Sequence, residues 1–246
     1  MSSPLVFDPA ALGRPFDFFP QEGPVPRRLR QIPALGRVIP ASRLQTRPTP
    51  AMASSGIPPL DSLTGGLPRG CLTEIFGSAS SGRTSLLVSM LAAATAREEV
   101  CALVDAEDMF DPVSAAAAGV SLERLLWVRC GHHAEHALKA ADLLVHGGGF
   151  GLVALDLGDT PLETARRISL ASWFRLRRAV ENTPTVLVAV ARQSNAKTCA
   201  SLVLECACDR VTWSGGTPLL RGMCVRVARR KPVREIMACF HAAALE

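Results

Sequence analysis

The chain has 246 residues, 48% of them hydrophobic and 20% charged, with a formal net charge of +5 at pH 7. That apolar content supplies a sizeable core and excludes a wholly disordered chain, and no run reaches the roughly 18 apolar residues that a membrane span needs. Residues 1–56 hold 7 Arg against 3 acids, whereas residues 57–246 hold 20 basic and 19 acidic residues, so a charge that coats nucleic acid along the whole chain is excluded.

Residues 1–55 read as a Pro- and Arg-rich leader, with 12 of the 18 prolines falling in the first 59 residues. Proline at this density denies the segment regular helix or sheet, and its isolated aromatics, such as Phe16 and Phe19, suit either a flexible tail or folding on a partner. The start lacks a basic stretch followed by an apolar one, so no secretory signal is expected. Eight scattered cysteines without a C-x-x-C pair are expected to be small buried hydrophobes of a reducing compartment, the cytoplasm.

From Ile57 apolar runs of strand length alternate with helical stretches. Strands are predicted at 72–76, 100–105, 125–129, 151–155 and 185–191, and helices at 84–97, 134–146 and 162–181. The strand runs are rich in Val and Leu without polar alternation, as strands buried on both faces are. After Asn195 strands at 209–213 and 223–228 flank a turn at 214–217, and a further strand follows at 235–241. The fold class is therefore α/β, a mostly parallel central sheet flanked by helices with antiparallel C-terminal strands, formed by one domain over 56–246.

Gly77, Ser78, Ala79, Ser80, Ser81, Gly82, Arg83 and Thr84 stand directly between a predicted strand and a predicted helix. This is the phosphate-loop pattern G-x-x-x-x-G-K-[ST] with Arg in the Lys position. Glycines let successive N–H groups converge on phosphate oxygens, and the helix N-terminus beginning near Ser85 adds partial positive charge. Thr84 supplies a hydroxyl for Mg²⁺, and Arg83 a cation for the outer phosphates. A guanidinium is a larger, planar fork than the Lys ammonium, so the pattern predicts nucleotide binding with slow or absent hydrolysis. The alternative is a plain turn of small residues.

Asp156 ends an apolar strand 72 residues after Thr84, where a carboxylate supports the metal of a phosphate-loop protein. Glu107 follows the strand after the loop helix; it reads equally as a general base for an attacking water or as a solvated strand end. Residues 221–234 carry six basic and no acidic residues, an exposed basic strand or a phosphate site.

In order along the chain, Gly65–Gly70, Thr73–Gly77 with its loop, Val104–Pro112, Gly119-Val120, the Asp156 strand and Val225–Pro232 resemble the RecA recombinase family. The resemblance covers residues 56–241 and implies a RecA-like P-loop NTPase core with ATP and Mg²⁺ bound between subunits. Position by position it implies Arg83 and Thr84 on phosphate and Mg²⁺, Glu107 as the catalytic base and Asp156 as the metal-supporting carboxylate. It also implies Asp111 as an adenine contact, and Arg229 and Lys231 as cations acting on a neighbouring protomer's nucleotide.

Departures from the family pattern accompany the match. Ser114 stands where the family stacks an aromatic on adenine, Arg192-Gln193 where it has an Asn-Gln sensor, and the connections after Asp156 and after Gln193 are short. Both DNA-contacting loops are thus expected to be trimmed, and no segment corresponds to the family's C-terminal domain. Size and motif decay are similar to a divergent RecA-like group, the ImuA-type accessory proteins of SOS translesion DNA synthesis. The expected partners are a translesion polymerase-like protein or a second RecA-type protomer, and single-stranded DNA, with homo-oligomers allowed and no membrane. Two other functions stay open: a DNA-dependent ATPase recombinase on single-stranded DNA, and a non-catalytic interaction scaffold.

The helix at 165–179 is predicted to bury Ile168, Trp173, Leu176 and Val180, with Arg166, Arg167, Arg175, Arg177 and Arg178 around it. Those arginines suit either phosphates or solvent. His132, His133 and His136 have spacing compatible with a metal, but no further ligand pattern supports one.

Overall fold

The computed structural model describes residues 49–214, 219–232 and 236–243. Residues 1–48, which hold nearly all of the predicted leader, and 215–217 of the predicted turn lie outside the described residues.

The described chain opens with β1 (Met52–Ala53), which pairs antiparallel with β2 (Leu67–Pro68) around helix α1 (Pro58–Thr64). Helix α1 begins on two prolines, where a missing N–H is harmless, and ends on Gly65 at φ +78. Then come β3 (Cys71–Phe76), α2 (Arg83–Ala96), β4 (Cys101–Asp105), α3 (Pro112–Ala117), β5 (Leu125–Arg129), α4 (Ala134–Gly147) and β6 (Leu152–Leu157). Helices α5 (Leu162–Arg167) and α6 (Leu170–Val180), then β7 (Val186–Ala191), β8 (Leu202–Trp213), β9 (Leu220–Lys231) and β10 (Ile236–Ala243) complete it.

The main sheet has the order β10-β9-β8-β3-β7-β6-β4-β5. Neighbours from β8 through β5 are parallel, while β9 and β10 are antiparallel additions at one edge. This is the α/β architecture expected from the alternation of apolar runs, including its antiparallel C-terminal strands. Two cores explain why those runs lack polar alternation. Ile75, Leu103, Val188 and Leu204 pack with Leu60 of α1 and Leu86, Leu87, Met90 and Leu91 of α2 on one face. Leu72, Val104, Leu155 and Leu187 pack with Ala137 and Ala141 of α4 and Trp173, Leu176 and Val180 of α6 on the other.

Two sequence expectations change. The helix predicted over 162–181 is two helices, because Ile168 is extended and the Ser169 hydroxyl accepts from the Ser172 N–H, capping α6. The strand predicted at 209–213 is the far end of a twelve-residue strand, Leu202–Trp213. Of the cysteines, Cys101, Cys130, Cys199 and Cys206 are buried as expected, whereas Cys208 and Cys239 are exposed; all eight are free. Among the described residues no helix is long and apolar enough to cross a membrane.

Register sets the site. Asp105 pairs with Asp156, Leu157 with Ala191, and Ala191 with Phe76, so the carboxyl ends of β4, β6, β7 and β3 finish level. Ligands of open parallel sheets bind in the crevice beyond such ends.

Candidate nucleotide-binding site

The loop Gly77–Gly82 leaves β3 and turns into α2. Gly82, at φ +87, caps the helix, and Ser80 sits at φ +56. A Cβ on Gly77 would collide with the Cys206 carbonyl and the Ser81 side chain, and one on Gly82 would collide with Val225 of β9. Both glycines are therefore demanded by close approach, and Gly82 also by its left-handed backbone. The curled loop, Ser85, Asp159 and Met223 enclose a cavity of about 340 Å³. The Ser81 hydroxyl is buried without a hydrogen-bond partner among the described residues. An unpartnered donor within a curled loop at a helix N-terminus suits an anion of phosphate size.

Arg83 does not extend into that cavity as a free cation. It is 6% exposed; Nη1 donates to the carbonyls of Gly77 (2.5 Å) and Ser78 (3.3 Å), and Nη2 to the Gly158 carbonyl (2.7 Å) and Asp159 Oδ1 (3.4 Å). The guanidinium thus fastens the loop to the segment after β6. Arg192, at the end of β7, reaches the same two acceptors: Nε lies 3.2 Å from the Gly158 carbonyl and Nη2 3.4 Å from Asp159 Oδ1.

Thr84 is exposed at the start of α2, and Asp156 ends β6; both line a larger cavity of about 1160 Å³. Burial pushes the Asp156 carboxyl up to about 6; Asp105 and Asp159 add to this, and the Gly158 N–H (2.8 Å) and Arg83 oppose it. A carboxylate costly to ionise alone is one that a metal cation would relieve. The larger cavity is also lined by Ser85, Asp111, Ser114 and part of β10. Asp111 caps α3 by accepting from the N–H groups of Val113 and Ser114, and it bonds the Ser114 hydroxyl. These bonds, the hydroxyl's foremost, hold its carboxyl below the usual aspartate range.

Asp105 and Glu107 have different jobs. Asp105 is 2% exposed and accepts from the N–H groups of Glu107, Met109 and Phe110 and from the Trp127 indole, which shapes the loop carrying Glu107. The Glu107 carboxylate instead meets His132 Nδ1 at 2.9 Å.

Arg229 and Lys231 are bound within their own chain. Arg229 Nη1 donates to the Leu63 carbonyl (3.1 Å), and Lys231 Nζ to the carbonyls of Thr198 (3.2 Å) and Ala200. Neither of these, nor Glu107, lines the two cavities, whereas the residues from Ala79 to Ser85, Asp111 and Asp156 do. Sequence reasoning missed Gly158, Asp159 and Glu74. Glu74 is fully buried in β3, where it accepts from the Ser194 hydroxyl (2.6 Å) and the N–H groups of Asn195 (2.5 Å) and Ala196 (2.8 Å). An acid inside a strand buried on both faces was the available signal.

A level row of parallel strand ends, a glycine-bounded loop between β3 and α2 and antiparallel strands beyond β8 are consistent with a RecA-like core. In keeping with this, residues 43–161 match the RecA N-terminal domain family. The protein RecA of Ectopseudomonas oleovorans is 33% identical over 140 residues, 50% of this chain and 39% of that protein. Both matches support the RecA family for this chain, which spans about two fifths of that relative's length.

Proposed function

We propose that the chain is an ATP-binding, RecA-like DNA-repair factor with weak or no ATP hydrolysis, an accessory of SOS translesion synthesis similar to the ImuA-type group. The observation that carries the enzymological part is Arg83: both its Nη groups are engaged with main-chain carbonyls and Asp159, so the loop's own cation is committed to structure. The N–H groups from Ser78 to Ser85 would hold the phosphates, Thr84 and Asp156 the Mg²⁺, and Asp111 the base. Mg²⁺, when bound, screens the phosphate charge and polarises the terminal phosphoryl group. Glu107 would accept a proton from the attacking water at its carboxylate, provided the pair with His132 opens. Arg229 and Lys231 would act across an interface with a second protomer. The expected partners are a translesion polymerase-like protein or another protomer, and single-stranded DNA, in the cytoplasm.

A DNA-dependent recombinase is the second reading, favoured by the presence of Glu107 on a loop ordered by Asp105. ATP hydrolysis with and without single-stranded DNA separates the two. Turnover at the no-protein baseline in both supports the accessory, and DNA-stimulated turnover lost in Glu107→Gln supports the recombinase. Absence of ATP binding by calorimetry would select a non-catalytic scaffold instead.

A further inference from the structure

Two charged side chains line the 340 Å³ cavity inside the phosphate loop, Arg83 and Asp159, of opposite sign. A carboxylate has no obvious place on the wall of a phosphate site, because it repels the ligand. Its contacts show what it does instead. Asp159 Oδ1 lies 3.4 Å from Arg83 Nη2 and 3.4 Å from Arg192 Nη2, and the preceding carbonyl, of Gly158, accepts from both arginines. Gly158 leaves room for this arrangement, since a Cβ there would press on Asp156 Oδ1 (2.9 Å) and Arg83 Nε (3.1 Å) and displace those side chains.

We infer that Asp159 is an internal anion that competes with the nucleotide's outer phosphates for Arg192, beside the structurally committed Arg83, and so sets the affinity of the site and its preference for triphosphate. The inference rests on the nucleotide-binding reading above. Both pairs are longer than the 2.7–2.9 Å of a strong charge-assisted bond, and the Asp159 and Arg192 side chains are 43% and 39% exposed. The Asp159–Arg192 pair, exposed on both sides, holds weakly, whereas a triphosphate brings several negative charges and many acceptor oxygens to the same guanidinium. Arg83 has carbonyls to keep it in place when the carboxylate leaves. Arg192, anchored by one bond to Gly158 and more exposed, is the cation able to turn toward a terminal phosphate. The charge that the loop holds back at Arg83 is then supplied from the neighbouring strand.

The test is calorimetric titration of the full chain and its variants with Mg·ATP and Mg·ADP, with thermal unfolding without nucleotide to show that each variant folds. Asp159→Asn, with Asp159→Ser as a second removal of the charge, should tighten ATP by about fivefold or more, and more at low salt than at high. Arg192→Gln should weaken ATP more than ADP, and combining it with Asp159→Asn should cancel most of the gain. A folded Asp159→Asn that binds ATP equally or more weakly overturns the inference while leaving nucleotide binding intact. No binding by any of the chains, wild type included, overturns the nucleotide reading itself and this inference with it. Binding gained only on removal of the carboxylate supports both.

Discussion

His132 Nδ1 lies 2.9 Å from Glu107 Oε2, on a backbone held at φ +66. His132 is exposed, so the pair itself is worth between 0 and about 1 kcal/mol. The left-handed backbone costs a residue other than glycine about 1–2 kcal/mol. Replacing His132 by Gly and by Ala removes the same pair, but only Gly relieves the backbone. Urea denaturation should therefore find His132→Gly more stable than His132→Ala by about 1 kcal/mol. Equal midpoints would mean that the backbone there relaxes on its own.

Arg83→Lys exchanges a planar fork for a point charge. Lys cannot donate to Gly77 and Gly158 on opposite sides as Arg83 does, and a buried carbonyl stripped of its donor costs about 1–3 kcal/mol. The expected result is a lower thermal midpoint together with tighter ATP binding or measurable turnover, because the ammonium is free for phosphate. Unchanged ATP affinity and turnover would show that the residue at 83 does not limit the chemistry.

Asp156 gives the site a pH signature. Its carboxyl titrates at about 6 in the folded chain against the ordinary 3.8, so between those values the folded state binds more protons than the unfolded one. Stability from this group is full below pH 4 and is lost as pH rises to 6, a change on the order of 2–3 kcal/mol. The thermal midpoint of the wild type, relative to Asp156→Asn, should fall between pH 4 and 7. Mg·ATP affinity should run the opposite way, weakening below about pH 6 as Asp156 takes up its proton. A midpoint difference that is flat with pH would place the ionisation elsewhere.

Gly82 tests the contact between the phosphate loop and β9. Gly82→Ala puts a methyl group into the Val225 side chain and forces φ +87 on a residue with a Cβ. A destabilisation of about 2–4 kcal/mol is expected from overpacking and backbone strain together. In combination with Val225→Ala the steric part should disappear and the strain remain, so the two substitutions should be less than additive. Strict additivity in denaturation would exclude the contact.

The parts of the fold that were legible in the sequence share a cause. Strands β3, β4, β6 and β7 are buried along most of both faces and therefore read as largely apolar runs, interrupted by Thr73-Glu74 in β3 and Asp156 in β6, and the loop after β3 carries its own glycine spacing. The break between α5 and α6 was encoded by Ser169, a capping residue three positions before Ser172, but the continuous apolar stripe from Ile168 to Val180 masked it. Helix α3 was announced by Asp111-Pro112, a capping residue followed by proline, and its short Ala-rich length hid it. The partners of Arg83 were out of reach of pattern reasoning. Gly158 is 75 residues away, and nothing local in Gly82-Arg83-Thr84 says that the guanidinium turns back on carbonyls. The same holds for Arg229 and Lys231, whose acceptors are main-chain oxygens of other elements.

The buried Glu74 has a consequence for how the chain is made. Its three donors stand 120 to 122 positions later, so during synthesis at 5–20 residues per second its carboxylate waits on the order of 10 s for them to emerge. Over that interval β3 carries a charge that its final surroundings cannot tolerate unpaired. Strand β3 is therefore barred from settling until residues 194–196 have emerged, so the loop that follows it takes its final place only after β7 is available to pair.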